Sequence, residues 1–503
     1  MATRTTTGAG DWNTAGNWDT GVPTVDDDAI VNHAMTVDGT GATFSTLDNN
    51  AKISNTANNV WVIKDGGSID NAGGEIDTDD YDVDVSFVAS TGASNWTWVL
   101  DSGTFDYGDG THTFEYATFS ISNHYSFVKG IWSFTEACTF TTTVAGERYF
   151  FDNFSTVNFS AGKTYTIGDG TLYTYIGIEG VANAIGSLGN EITFDGNNNT
   201  GYIYLSGTGN LDVTFDYCNF EDGLYGIYIT SYDDATDSIS LSNCNASLHS
   251  NSGFRIYNNI SDVTFDNCNS FSNTKIGFYV YSTTTGGGYI CNDCWAYSNG
   301  EIGFAPQTNI GKAELNRCKS YGNSSYGLQS DNPSAQIELE SSLFSENVRD
   351  GIYITNSENS FMTNCSCPDN GADYSGVSVN LASGDSFPIK NTICEGSKYG
   401  ISSIGTVDPV VTYSCVRGDT AAYNGMTDPT GTNGDISANP LFKDAAGDDY
   451  DLKNGSPCQN TGTSTGAPAT DINDVAWPNT NPEMGAYGES LIPIRKGQTY
   501  MIA

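Results

Sequence analysis

The sequence predicts an all-β chain, a right-handed parallel β-helix (solenoid) with N- and C-terminal caps. Three observations predict it: a repeat of about 24 residues, short alternating strands broken by turn residues, and no segment with helical spacing. Runs of Val, Ile, Thr, Tyr and Phe alternate and are interrupted by Asn, Asp, Gly and Ser, which is how strands and turns read. Leucine-rich repeats share the period, but their Leu-x-x-Leu-x-Leu pattern is missing.

The repeat shows first in the cysteines. VTFDYC ends at Cys218, ISLSNC at Cys244, VTFDNC at Cys268, YICNDC at Cys294 and AELNRC at Cys318. Ser342 takes the place in the next unit, followed by Cys365, Cys394 and Cys415, with steps between 21 and 29 residues. A second column keeps step: Gly226, Gly253, Gly277, Gly303, Gly327, Gly351, Gly376 and Gly400. Each glycine precedes a short strand such as GIYI or GFRI, and it is expected at a bend that a Cβ would resist. Stacked thiols pointing one way lie farther apart than a disulfide prefers, so the column is expected as free, packed cysteine.

The organisation follows from the repeat. Residues 1–40 are expected as an N-terminal cap, 41–420 as the helix, and 421–503 as a C-terminal cap and tail. The caps shield terminal rungs from edge pairing. At a spacing of about 4.8 Å, roughly 15 rungs make a rod of about 70 Å.

Two segments carry a resemblance. Trp12, Trp18, Pro23, Asp27, Ile30 and Val37 resemble the opening of many secreted and viral β-helix proteins. NPLFKDAAGDDYDLKNGSPCQNTGT, from Asn439, and the later TDINDVAWPNTNPEMGAYGES resemble the C-terminal region of the parallel β-helix repeat family of the pectate-lyase-like superfamily. The resemblance implies the fold; the superfamily spans lyases, hydrolases, adhesins and viral spikes, so it leaves function open.

Charge excludes some functions. Lys+Arg is 19 against Asp+Glu 60, a net charge of −41, and such a surface repels nucleic acid and anionic membranes. No run of about 18 apolar residues exists for membrane insertion, and residues 1–25 lack the apolar core of a secretory signal. No protein metal site or cofactor motif is read from the sequence. Ca²⁺ in acidic turns, at Asp26 to Asp28, Asp77 to Asp84 or Asp448-Asp449, is the one ion the composition leaves open.

Candidate binding residues lie on the outward side of the strand after each glycine: Tyr228, Arg255, Tyr279, Ala305, Gln329, Tyr353, Ser378 and Ser402. Of these, Tyr228, Arg255, Tyr279, Gln329 and Tyr353 suit stacking on sugar rings and hydrogen bonds to hydroxyls. Should the chain be an enzyme, Glu314, Glu338 and Glu340 form the carboxylate set for glycoside hydrolysis, with Lys312, Arg317 and Lys319 near enough to make it an ordinary charge network instead. The leading expectation is a virion structural or receptor-binding protein, such as a bacteriophage tail spike, fibre or capsid decoration. It would meet host-surface glycan and other virion proteins, as a homotrimer in the manner of many such spikes, at the virion surface or outside cells. A polysaccharide depolymerase and a bacterial adhesin are the alternatives.

Overall fold

The structure is a computed structural model of the chain. It describes residues 3–24 and 155–488 except 208–210, 232–237, 258–261, 282–285, 308–309, 332–335, 356–358 and 478–480. Between 28 and 151 it describes the strands together with 135, 137 and 138. Asp26, Asp27, the stretch 78–82 and the tail 489–503 therefore lie outside the described residues. The chain divides into two compact units, Met1–Gly288 and Tyr289–Ala503.

In the first unit the earliest turns contribute two strands each and those from Thr111–Phe114 on contribute three, and the strands pair in parallel with those one turn on. Asp212–Asp216, Cys218–Glu221 and Ile227–Ser231 form one turn; Ser238–Ser242, Asn245–Ser247 and Phe254–Tyr257 form the next. Val213 pairs with Ile239 and that with Val263, while Phe215, Leu241 and Phe265 form the adjacent inward row. The two-residue period of a strand sends these side chains inward and their neighbours outward. Stacked rings also fill the core, with Phe119 and Phe140 centred 4.9 Å apart and Phe194 and Phe220 5.2 Å apart.

The N-terminal segment joins this ladder. Thr3–Thr5 pairs with Asp28–Val31, and Gly10–Asp11 with Met35–Val37. The buried Trp12 and Trp18 meet edge to face at 4.8 Å, and Trp18 Nε1 donates to the Trp12 carbonyl at 2.7 Å.

The residue before each cysteine of the column from Cys218 to Cys365, and before Ser342 within it, turns the chain. Tyr217, Asn243 and Asn267 all have φ near +50°, as do Asp293, Arg317, Ser341 and Asn364 in the second unit. That left-handed residue swings the next side chain into the core, where Cys244 Sγ meets the Phe215 carbonyl at 3.4 Å and Cys268 Sγ the Leu241 carbonyl at 3.3 Å. None of the twelve cysteines is joined in a disulfide, and all are buried.

Two details of the repeat differ from the expectation. Cys394 and Cys415 do not continue the cysteine column; the left-handed residues there are Asn391 and Tyr413, so Thr392 and Ser414 take the place. The Thr392 N–H donates to Ser414 Oγ at 3.2 Å, just as the Cys318 N–H donates to Ser342 Oγ at 3.0 Å. Cys394 instead pairs with Cys367, two residues along on the same side of the strand. For Cys394 this phase shift of two keeps the inward parity, which the spacing alone conceals, whereas Cys415 follows Ser414 by one, pairs with Ile393 and packs against the C-terminal segment. Nor do the column glycines bend the chain with positive φ. Close packing demands them: a Cβ on Gly253 would lie 2.1 Å from Ser270 Oγ, and one on Gly327 2.6 Å from the Gly351 carbonyl oxygen.

Within the second unit the ladder reaches Ala421–Asn424, and Ile436 adds a parallel bridge to Cys415. Its C-terminal segment then runs back along the flank of the turns. Phe442, Tyr450, Leu452, Cys458, Ile472, Met484 and Tyr487 pack with Leu343, Ile393 and Cys415. Hydrogen bonds fasten it: Ser341 Oγ to the Thr470 carbonyl at 2.6 Å, Asn391 Nδ2 to the Thr463 carbonyl at 2.8 Å, and the Ala486 N–H to Ser366 Oγ at 3.0 Å. The segment expected as a C-terminal cap thus stacks Asp435 and Ile436 on the turn of Ser414 and Cys415 and lays its later part along the flank.

Candidate functional site

In the first unit the outward face of the strands Thr174–Ile178, Gly201–Gly207, Ile227–Ser231, Phe254–Tyr257 and Phe278–Tyr281 is a ledge of tyrosine. Tyr228 pairs with Arg255 and Arg255 with Tyr279, so the three predicted residues do form one column. The ledge is broader than predicted. Tyr175, Tyr202, Tyr204, Tyr225, Tyr257 and Tyr281 join it: Tyr175 stacks on Tyr202 at 5.0 Å, Tyr225 meets Tyr228 at 5.1 Å, and Tyr257 stacks on Tyr281 at 5.0 Å. The signal was in the sequence, because tyrosines two residues apart (202 and 204, 279 and 281) share a strand face.

Arg255 organises this ledge. Its guanidinium lies 4.9 to 5.7 Å from the ring centres of Tyr225, Tyr228, Tyr257 and Tyr279, and Nη1 donates to the Tyr225 hydroxyl at 2.6 Å. Four aromatic faces around one cation hold the rings and the guanidinium in fixed mutual positions. Burial pushes the Tyr228 and Tyr279 hydroxyls up despite the Arg255 charge, so both remain protonated donors at neutral pH. Half-buried rings with free edges and hydroxyls can stack on a sugar and hydrogen-bond to it.

The remaining predicted binding residues belong to the second unit. Gln329 pairs with Tyr353, but Gln329 Nε2 is engaged by Asp331 Oδ2 at 2.7 Å. Tyr353 lies 5.3 Å from Tyr326, over which Arg349 sits at 5.1 Å while donating to its hydroxyl at 2.9 Å. Ala305, Ser378 and Ser402 are buried, so the column is not one continuous exposed face. Ser378 Oγ is taken up by Asp350 Oδ1 at 2.8 Å.

The second unit also brings the predicted carboxylates together. Glu314 pairs with Glu338, and Asn316 with Glu340, on the neighbouring strands Ile310–Asn316 and Gln336–Glu340. They line a cleft of about 260 Å³ whose far wall is Pro468, Ala469 and Thr470 from the flanking C-terminal segment. Sequence reasoning missed that wall, since nothing local in 468–470 says where the segment docks. Lys312 Nζ bridges Glu314 at 2.6 Å and Glu338 at 2.8 Å. Partial burial works against its charge, but the bonds to both glutamates outweigh this and raise its pKa. Arg317 turns to Asp293 in a two-pronged pair at 2.8 and 2.9 Å. Lys319 leaves the cleft for the rings of Trp295 and Tyr487, and burial lowers its pKa. Among the described residues Glu340 makes no ion pair; burial first, then the Glu338 and Glu314 charges, push its carboxyl up. Such a group keeps its proton to higher pH than an exposed glutamate does, and its neighbours' negative charges help it do so.

Among the described residues no group of three or more His, Cys, Asp or Glu is arranged to hold a metal ion. Nor is any helix among them long and apolar enough to cross a membrane.

Comparison with known proteins agrees with this architecture. The family described as right-handed β-helix region matches residues 177–332 and 305–427. The chain is a right-handed parallel β-helix protein. Among solved structures, this β-helix aligns with the pectate lyase Pel9A at 14% identity and a TM-score of 0.43, over 67% of this chain and 88% of that one. It also aligns with the A-module of the mannuronan C-5 epimerase AlgE4 of Azotobacter vinelandii at 14% identity and a TM-score of 0.35, over 68% and 91%. No curated protein matches it in sequence.

Proposed function

We propose that this β-helix binds glycan through the tyrosine ledge of its first unit, and that a virion presents it to the surface of a host cell. The observation that carries the binding is Arg255 held among four tyrosine rings within a set of eight contiguous tyrosines. Ordinary strand surface scatters its tyrosines; this face concentrates them and pins their geometry, which lowers the ordering cost of binding a flat sugar. The virion setting, with other virion proteins as neighbours and a trimeric assembly, rests on the acidic, cation-poor exterior and belongs to the same proposal.

The test is binding to bacterial capsular and lipopolysaccharide preparations by the chain and by its Tyr228→Ala and Tyr279→Ala variants. Each variant is expected to lose about tenfold or more in affinity while its far-UV spectrum and melting temperature hold. Unchanged binding in both variants would remove the ledge from consideration. An antibody to the chain that labels phage particles supports the virion setting; labelling of bacterial cells alone makes this an adhesin.

A second reading is favoured by one feature, the raised carboxyl of Glu340 beside Glu314 and Glu338 in the cleft. In a depolymerase Glu340 would give its proton to the glycosidic oxygen as the bond breaks, while a neighbouring carboxylate takes one from the attacking water. Release of reducing ends that Glu340→Gln and Glu338→Gln abolish would establish it; binding without cleavage would leave the cleft a surface charge network.

A further inference from the structure

We infer that the tyrosine ledge selects glycans bearing anionic groups on separated sugars, with Arg255 and Arg148 as the two anchors. The inference rests on the glycan-binding reading and adds the chemistry of what is bound.

It starts from where the arginines of this chain go. With 60 acidic residues to 19 basic ones, a guanidinium finds a carboxylate easily. Arg317 pairs with Asp293, and Arg417 with Glu395. Arg255 and Arg148 do not: among the described residues neither has a carboxylate within ion-pair distance. Arg255 makes one hydrogen bond, to the Tyr225 hydroxyl, and its Nε has no partner. Arg148 repeats the arrangement. It sits 4.8 Å over the Phe150 ring and donates from Nη1 to the Tyr175 hydroxyl at 3.2 Å. Each cation is therefore fixed against aromatic rings by one hydroxyl while most of its five donors stay unspent.

The two lie on one ladder. Phe150 pairs with Gly177, Gly177 with Tyr204, Tyr204 with Tyr228, and Tyr228 with Arg255. Arg148 is on the same face of its strand as Phe150, two residues before it, so the anchors are four turns or about 19 Å apart along the solenoid. Tyrosine lines the interval. A guanidinium fork at each end of an aromatic track fits a saccharide chain whose sugars stack between two anionic substituents, a carboxylate, a sulfate or a phosphate ester.

Net charge limits the choice further. A chain of −41 repels a dense polyanion, and screening over about 8 Å at physiological salt confines the favourable field of each arginine to its own neighbourhood. Sparse charge that meets Arg255 and Arg148 gains the contacts without the repulsion. The expected order of affinity is sparsely anionic glycan first, then the matched neutral glycan, then polygalacturonate.

The experiment uses the whole chain on an array of matched oligosaccharides, unsubstituted or carrying isolated carboxylate, sulfate or phosphate groups, with polygalacturonate alongside. Anionic glycans are expected to bind about tenfold or more tightly than their neutral partners, an advantage that 0.5 M salt removes. Arg255→Gln should collapse that ratio to near one, Arg255→Lys should restore part of it, and Arg148→Gln should reduce it. The carboxylate, sulfate and phosphate arms say which anion is preferred. Equal binding of neutral and anionic partners, or a ratio untouched by both Gln variants, would overturn the inference and leave the tyrosine reading standing. No binding to any member of the array would overturn both. Thermal melts of each variant separate a lost contact from a lost fold.

Discussion

The backbone N–H of His249 donates to Asn273 Oδ1 at 3.1 Å, one turn further along the solenoid. The imidazole itself stands where that next turn has an asparagine side chain. Asn273 Nδ2 donates to the Ala246 carbonyl, and His249 Nε2 reaches the paired Phe220 carbonyl at 3.1 Å. Its Nδ1 accepts the Gly223 N–H at 3.0 Å, so the ring must be neutral, with its proton on Nε2.

This predicts an acid-sensitive first unit. Burial lowers the His249 pKa to about 4, against about 6.5 in an unfolded chain. The unfolded state therefore binds more protons between those values, and stability is full above pH 6.5 and lost as pH falls toward 4. The loss is on the order of 3 kcal/mol from this one site. His249→Asn, which keeps a donor for the Phe220 carbonyl, is expected to flatten the fall in urea midpoint between pH 7 and 4.5. An unchanged acid limb in that variant would show that other groups carry it.

A second prediction separates close packing from turn conformation. Gly253→Ala is expected to destabilise by about 3 kcal/mol or more, because its Cβ would lie 2.1 Å from Ser270 Oγ and 3.0 Å from Asn273 Nδ2 inside a packed wall. Gly8→Ala, with nothing within 4 Å of the new Cβ, should leave the melting temperature nearly unchanged. Equal tolerance of both substitutions would mean that the wall can open.

These two residues also show what was legible beforehand. The glycine column could be read because every turn needs it, but its reason could not, since the obstructing atoms come from other turns. The Cys365 column was readable until its phase slipped at Thr392, where a change of two residues leaves the inward and outward pattern intact. Tyr228, Arg255 and Tyr279 were found because one strand register defines their column. Arg148 was missed because its tyrosine partner lies 27 residues on. The wall of the carboxylate cleft was invisible for a similar reason: Ser341 and Thr470 are 129 residues apart, and only the docked C-terminal segment joins them.

The thiols provide a third prediction. Burial raises the Cys365 pKa to about 12 and raises Cys367 and Cys394 as well, so these three hold little thiolate in the folded chain, and burial shields the other nine from a reagent. A thiol reagent is expected to modify almost none of the twelve cysteines in native protein and all of them in denaturant. Rapid modification without denaturant would contradict the packing. Cys318→Ser should cost less than Cys318→Ala, because a hydroxyl can repeat the bond that Ser342 makes to the Glu340 carbonyl at 2.8 Å, whereas alanine leaves a void.

Asp435 reverses the sign of the histidine effect. It extends the column of Cys365, Thr392 and Ser414: its Oδ1 accepts the Ser414 N–H at 3.0 Å, while the buried Oδ2 has no partner. Burial, with a smaller push from Asp428, raises its pKa to about 6, against about 3.9 unfolded. The folded state here binds more protons than the unfolded one between these values. Stability from this site is therefore present at low pH and lost as pH rises from about 4 through 6. Asp435→Asn keeps an acceptor for Ser414 and carries no charge to bury, so its melting temperature should exceed that of the parent at pH 8 and match it near pH 4. A variant that melts lower at both pH values would mean that the carboxylate is paired rather than stranded.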